Sequence, residues 1–159
     1  MNTTTYEDIA TFLVSMAIPA TEAKVIAVGV TTIRDIEANY AVIDKIGTSY
    51  TGGPVLNLTE WEIGLEGVTD IQLAFNVSGL LDVATVKAEK THFEKVLSEF
   101  ASVLAIQTDE SHSDFHNVSF TAGHLDVLVE SHPLDSQFTI NYMSADFQKA
   151  RSAAQSLYG

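Results

Sequence analysis

Hydrophobic residues in the first third of the chain recur every three or four positions, which is the spacing of an amphipathic helix. The first stripe covers residues 6–16 and ends before Pro19, since proline cannot continue a helix. A second stripe of the same spacing predicts a helix over about residues 21–46. The segment that follows, about residues 47–54, contains three glycines and a proline and predicts a loop.

The period of the pattern then changes to two, which is the spacing of a half-buried β-strand. Apolar and polar residues alternate over about residues 60–65 and 71–77, so we predict two strands joined by a turn. A helical stripe that includes Phe93 and Phe100 follows. It predicts a long helix over about residues 83–104.

The last third of the chain predicts a meander of three strands and a closing helix. Alternating runs at about residues 115–120, 124–130 and 138–142 form the strands, and Ser144 or Asp146 begins the helix. The resulting order, ααββαβββα, predicts an α+β fold. We expect two N-terminal helices, a mainly antiparallel sheet of about five strands interrupted by one long helix, and a short C-terminal helix.

The composition predicts a soluble protein with a single globular domain over residues 1–159, since 46% of the residues are hydrophobic and 18% are charged. No apolar run approaches the roughly 20 residues of a membrane span. The first residues are acidic, so no signal peptide is predicted, and we expect a cytoplasmic protein or one in an assembled particle. Cysteine is absent, which excludes disulfides and Cys-ligated zinc.

The charge is strongly negative, because 21 acidic residues face only eight basic ones, for a net charge of −13. This balance disfavours direct binding of nucleic acid or of anionic membranes, since both require Lys and Arg against phosphate. All eight basic residues lie on predicted helices, and none occurs at 46–86 or 96–148. The predicted sheet surface is therefore anionic, and it can attract divalent cations, a basic protein or basic parts of a neighbouring subunit.

Four of the five histidines lie within one stretch of 21 residues that contains no Lys or Arg. If the predicted strands pair as a hairpin, imidazoles and carboxylates from both can meet and bind Zn, Fe(II), Mn or Ni. A metal-bound hydroxide there would support hydrolase or lyase chemistry. The candidate metal ligands are His112, Asp114, His116, His124 and Asp126. Glu130 and His132 are further candidate binding residues, and no other cofactor is predicted.

The same stretch has a second interpretation, as an ordinary or pH-responsive surface. Leu125, Val127 and Val129 form the expected inner face of the second strand, which places the histidines on the outer face. Exposed imidazoles without supporting hydrogen bonds seldom hold a metal tightly. Nearby carboxylates nevertheless make such a cluster sensitive to pH near neutrality.

The chain lacks a Gly-x-Ser-x-Gly nucleophile motif and a Walker lysine, so it shows no familiar catalytic signature. We therefore expect a structural, assembly or protein-interaction protein that forms a homo-oligomer, such as a component of a virus particle. One alternative is a small metal-dependent hydrolase or lyase that uses the histidine stretch. Another is an acidic inhibitor that binds the basic surface of a second protein.

Overall fold

The computed structural model of the chain describes residues 9–17, 26, 28–29, 31–39, 44–49, 51–59, 67–112, 115–122 and 125–158. Four α-helices and eight strands are described in these ranges. In chain order they are α1 (Ile9–Ser15), α2 (Ile33–Asn39), β1 (Asp44–Thr48), β2 (Gly52–Thr59), β3 (Val68–Asn76), β4 (Leu81–Glu89), α3 (Phe93–Val103), β5 (Ala105–Asp109), β6 (His116–Ala122), β7 (Leu125–Ser131), β8 (Gln137–Ser144) and α4 (Ala145–Tyr158). In this part of the chain, no helix is long and apolar enough to cross a membrane.

The eight strands form one antiparallel sheet in the order β1-β2-β3-β4-β8-β7-β6-β5. Strands β1 to β4 form one meander and β5 to β8 form another, and the two meet where β4 pairs with β8. A helix comes before each meander, and α1 contacts α3. Because each meander starts at an edge and runs inward to this central pair, β1 and β5 are the two edges of the described sheet.

The main core lies between α1, α2 and α3 and one face of the sheet, which we call the inner face. Burial alternates along β7 as a half-covered sheet requires, so that Leu125, Val127 and Val129 are buried as predicted. Phe100 of α3 is fully buried against Phe120 of β6, with ring centroids 5.6 Å apart. The helices thus protect the inner face from water, which is the main stabilising contribution to such a fold.

The outer face carries a smaller apolar cluster, where α4 packs against β4 and β8. Phe147 of α4 joins Val83 and Met143 in this cluster. Ser144 starts the helix, because its hydroxyl accepts a hydrogen bond from the Phe147 N–H at 3.1 Å. Of the two predicted helix starts, Ser144 and Asp146, the structure has Ser144.

A buried carboxylate, Asp82, ties the two halves of the molecule together beside this helix start. Its oxygens accept hydrogen bonds from the Thr51 hydroxyl at 2.5 Å and from the Ser144 hydroxyl at 3.1 Å. Asp82 lies in a bulge of β4, because Phe75 pairs with Leu81 while the preceding residue of β3 pairs with Val83, which leaves Asp82 without a partner residue in β3. The buried acid is therefore paired, as buried charged groups need to be.

Tyr142 of β8 connects the sheet to α1 through a buried hydrogen bond. Its hydroxyl donates to the Leu13 carbonyl oxygen at 2.6 Å. Complete burial raises the pKa of the Tyr142 phenol well above its usual value of 10.0, because the charged phenolate would lose its hydration. The folded protein therefore keeps this proton at a pH where the unfolded chain releases it.

We expect Tyr142→Phe to be less stable than the wild type at pH about 8 by ~1 kcal/mol, the usual net contribution of one hydrogen bond. The raised pKa has the opposite effect at high pH, because the unfolded phenol can ionise above pH 10.0 while the buried one cannot. The unfolded wild type gains stability from that ionisation, and the variant does not. The wild type should therefore lose its advantage at about pH 11.

Urea unfolding of both proteins at the two pH values measures the gap between their free energies of unfolding. A constant gap would contradict this account, since the two proteins differ at one residue and the titration of all other groups cancels.

The predicted sheet of about five strands is wrong, since the described residues alone form a sheet of eight strands. The expected helix at 83–104 covers only Phe93–Val103, and its first part is strand β4. Residues 83–88 include two alanines and a lysine, which also suit a helix. These residues form a strand because they pair with β3 on one side and with β8 on the other.

The expected second helix at 21–46 is also wrong in extent. The described part of it is helical only over Ile33–Asn39, and Asp44–Thr48 is strand β1. The expected loop at 47–54 is instead a hairpin turn, in which the Ser49 N–H donates to the Gly53 carbonyl at 2.8 Å. The predicted strand at 60–65 lies outside the described residues. The meander predicted in the last third is confirmed as β6, β7 and β8.

Candidate functional site

Three residues of the histidine stretch, His112, His116 and His132, lie at one end of the sheet, where β6 begins and β7 ends. Two predicted site residues meet there around Phe115, whose ring centroid lies 5.3 Å from that of His112 and 4.8 Å from that of His132. His112 and Phe115 also exchange two backbone hydrogen bonds of 2.9 Å. We call His112, Phe115, His116 and His132 the histidine end. Here the Phe115 ring packs against the imidazoles of His112 and His132, and these are aromatic contacts and not the contacts of metal ligands.

His116 occupies the inner face and not the outer face expected from strand alternation. It stands opposite the buried Ser131 and shares the parity of Val118 and Phe120 along β6. Its ring centroid lies 5.0 Å from that of Phe93, the first residue of α3. The start of α3 therefore half-buries this histidine, whereas His132 is exposed.

A cleft of about 300 Å³ opens beside His116 on the inner side of the histidine end. An ammonium (Lys90), a carboxylate (Glu94) and the Ser131 hydroxyl line it together with the imidazole. The Lys90 ammonium also donates a hydrogen bond to the His132 carbonyl oxygen, which ties the start of α3 to the end of β7. The cleft can therefore accommodate a small polar molecule, but its ammonium group is already engaged with the backbone.

The two acidic site residues on β7 lie on the outer face and are far apart. Glu130 reaches His132, with 3.8 Å between Oε2 and Nε2. Asp126 instead accepts a hydrogen bond of 2.7 Å from the Gln148 amide of α4. Since Asp126 and His132 are separated by six positions along an extended strand, about 20 Å lies between them. These two residues therefore cannot share one ion in this arrangement.

The described residues contain no group of three His, Cys, Asp or Glu side chains placed to hold a metal ion. Two of the candidate ligands, Asp114 and His124, lie outside the described residues. The metal site that uses the whole stretch therefore stays a prediction. What the structure brings together is His112 and His132 around one phenyl ring, with Glu130 beside His132.

A second candidate region lies at the sheet edge formed by β5, on the inner face. A groove of about 230 Å³ separates α3 from this edge, and we call it the β5 groove. Among the described residues, its apolar lining includes Leu97 of α3, Ile106 of β5, and Val118 and Phe120 of β6; its charged lining is Glu94 of α3 and Asp109 of β5.

Asp109 carries a firmly ionised carboxylate. Hydrogen bonds from the side chain and the backbone of Ser111 hold the pKa of Asp109 below its usual 3.8, and the Ser111 N–H lies 2.9 Å from Oδ1. His116 makes a smaller contribution in the same direction. Both charged groups that line the described β5 groove are thus carboxylates, so the groove is apolar at its base and acidic at its rim.

Sequence patterns missed the β5 groove because they did not predict β5. Ala105–Asp109 has five residues and only one large apolar side chain. The apolar stripe of the preceding helix also continues up to the first residue of β5, so the sequence pattern does not separate the two elements. The signal that could have revealed it is the regular spacing of the later strands, which leaves room for one more strand before Phe115. Lys90 and Phe115 were missed because their roles depend on the three-dimensional contact. No protein-family model, curated protein or solved structure matches this chain.

Proposed function

We propose that the protein is a non-enzymatic interaction or assembly protein that forms a homo-oligomer through the β1 edge of its sheet. The observation that supports this proposal is the exposure of β1, which pairs on one side only within the described sheet. Residues 45–48 are all exposed, and the apolar side chain of Ile46 is 50% exposed. An edge strand presents N–H and C=O groups on its free side, and these pair readily with another strand.

Self-pairing is electrostatically easier at β1 than at β5. Strand β1 contains one acidic and one basic residue, Asp44 and Lys45, so two copies meet there with little net repulsion. Strand β5 ends in Asp109 and is followed by Glu110, with no basic residue nearby in the sequence. In a chain of net charge −13, a two-fold contact is favoured where the local charge is balanced.

The contact through β1 is weak and reversible in this proposal. The register of β1 with β2 shifts between Lys45 and Gly47, so Ile46 occupies a bulge. A bulge bends an edge and shortens the length over which another strand can pair. We therefore expect a dimer whose population rises with concentration over the micromolar range, and not a permanent complex with a large interface.

Light scattering of the purified chain tests the proposal. We expect the mass to rise from that of a 17.2 kDa monomer towards twice that value as the concentration increases. Ile46→Lys should keep the protein monomeric, because it adds positive charge and removes the exposed apolar group. Val77→Lys is the matched control, since Val77 is 83% exposed in the β3–β4 turn and lies on neither edge. A monomeric mass at every concentration would contradict the proposal, as would an equal effect of the two substitutions.

A further inference from the structure

The free side of β5 can accept an additional strand. Strand β5 is the last in the described sheet, and all five of its residues are exposed. Its pairing with β6 uses the backbone groups on one side only. Extended peptides commonly bind by continuing a sheet at such an edge, where main-chain hydrogen bonds supply affinity and side chains supply selectivity.

A bulge in β5 sets the side chains that such a strand would meet. Ile106 pairs with Phe120 and Asp109 pairs with Val118, whereas Thr108 pairs with Ser119 on the opposite face. The register shift between Ile106 and Thr108 therefore places Ile106 and Asp109 on the same face, although they are three residues apart. The edge consequently offers one apolar and one acidic position in succession along the β5 groove.

The apolar position is available for binding. Ile106 is 54% exposed, while its neighbour Phe120 is fully buried beneath the groove. Leu97 of α3 lines the other wall and is only partly buried. An apolar side chain placed between Ile106 and Leu97 would remove the surface of both from water, which is favourable in proportion to the buried area.

Charge decides which kind of strand fits. Glu94 and Asp109 are the charged groups that line the described β5 groove, and the sequence has no Lys or Arg from 96 to 148. A second copy of the chain would bring its own net charge of −13 to this acidic rim. A basic strand would instead form ion pairs with both carboxylates and neutralise part of the field.

We propose that the β5 groove binds an extended, basic segment of a partner protein, which adds to β5 as a ninth strand. Its side chains over the groove would alternate as an apolar residue followed, two positions later, by Lys or Arg. The apolar residue packs between Ile106 and Leu97, and the basic residue pairs with Asp109 and Glu94. This surface is separate from the β1 edge, so self-association can fail while binding at β5 persists.

Fluorescence anisotropy with two labelled hexapeptides tests the inference. The first has the sequence Thr-Ile-Thr-Lys-Thr-Lys, and the second replaces both lysines with glutamates. We expect saturable binding of the basic peptide that weakens as salt is added, and no binding of the acidic one up to about 1 mM. Equal binding of the two peptides, or no binding of either, would overturn the proposal.

Charge variants locate the site on the chain. Glu94→Gln combined with Asp109→Asn should weaken binding of the basic peptide on the order of fivefold, as expected for the loss of two exposed ion pairs. The matched control combines Glu89→Gln with Glu99→Gln, which makes the same change in net charge at exposed positions outside the groove. A comparable loss in the control would mean that only the overall charge attracts the peptide, and the proposed site would be rejected.

Ile106→Ser tests the apolar contact and the rival occupant in one variant. We expect weaker binding of the basic peptide and an unchanged mass of the free protein. Circular dichroism checks that the variant is folded, which is expected because Ile106 is half-exposed on an edge strand. A fall in the mass of the free protein would mean that a second copy occupies the groove, and that result would overturn the assignment of a basic partner.

Discussion

Replacing Phe100 with alanine is expected to lower the free energy of unfolding by about 3–5 kcal/mol, the usual range for a fully buried aromatic residue. Phe100 is completely buried where α3 meets the centre of the second meander. Its ring centroid lies 5.6 Å from that of Phe120 and 6.3 Å from that of Tyr142. The substitution therefore opens a cavity between the helix and two strands, and the fixed strands cannot close it.

Urea unfolding measures the effect, and Val103→Ala provides the control on the same helix. Val103 is the last residue of α3 and is 48% exposed, so its truncation should cost less than ~1 kcal/mol. The dependence of the unfolding free energy on urea concentration should stay unchanged for both variants, because the surface exposed on unfolding is nearly the same. Similar losses in the two variants would show that α3 does not cover the core in the way described.

Adding a single methyl group at Gly53 is expected to destabilise the protein strongly. A Cβ atom there would lie 2.2 Å from the Asn76 carbonyl oxygen and 2.3 Å from the Phe75 carbonyl oxygen. Both obstacles belong to the backbone of β3, which pairs with β4 on its other side and has little room to move. Overpacking of this kind costs about 1–3 kcal/mol, and the clash with backbone atoms places Gly53→Ala at the upper end.

Gly47→Ala in the neighbouring strand is the matched control. A Cβ atom at Gly47 would have no neighbour within 4 Å, so its steric effect is absent. Alanine restricts the unfolded chain more than glycine does, which should leave the stability equal or slightly higher. Thermal unfolding should show a midpoint several degrees lower for Gly53→Ala alone. A midpoint equal to that of Gly47→Ala would contradict the close approach of β2 to β3.

Elements that are stabilised by contacts between residues close in sequence could be predicted from the sequence, and elements that depend on distant partners could not. Leu125, Val127 and Val129 recur at every second position, and this local pattern predicted the strand at 124–130, which the structure has as β7. Ser144 was one of two predicted helix starts, and it could be identified because capping is a contact with the next turn of the chain. Strand β4 was misassigned because Leu81–Glu89 becomes a strand only between two partners. No local pattern contains that information.

The candidate site likewise has features that the sequence reveals and contacts that only the structure reveals. The sequence identified the histidine stretch and its lack of basic residues, which are properties of composition. It could not place His116 beneath the start of α3, because the contact with Phe93 joins residues 23 positions apart. Nor could it reveal the β5 groove, whose two walls belong to a helix and a strand that need the whole sheet to face each other.

By itself, the sequence determined an α+β protein with a strongly acidic charge balance, a buried face on strand β7, and no cysteine chemistry. These properties depend on side-chain type and on short-range periodicity, which the chain carries before it folds. Only the tertiary structure decided that eight strands form one sheet, that β1 and β5 are the edges of its described part, and that Glu94 and Asp109 flank one groove. The reason is that strand pairing and burial are settled between distant segments, where hydrogen bonding and exclusion of water outweigh local preference.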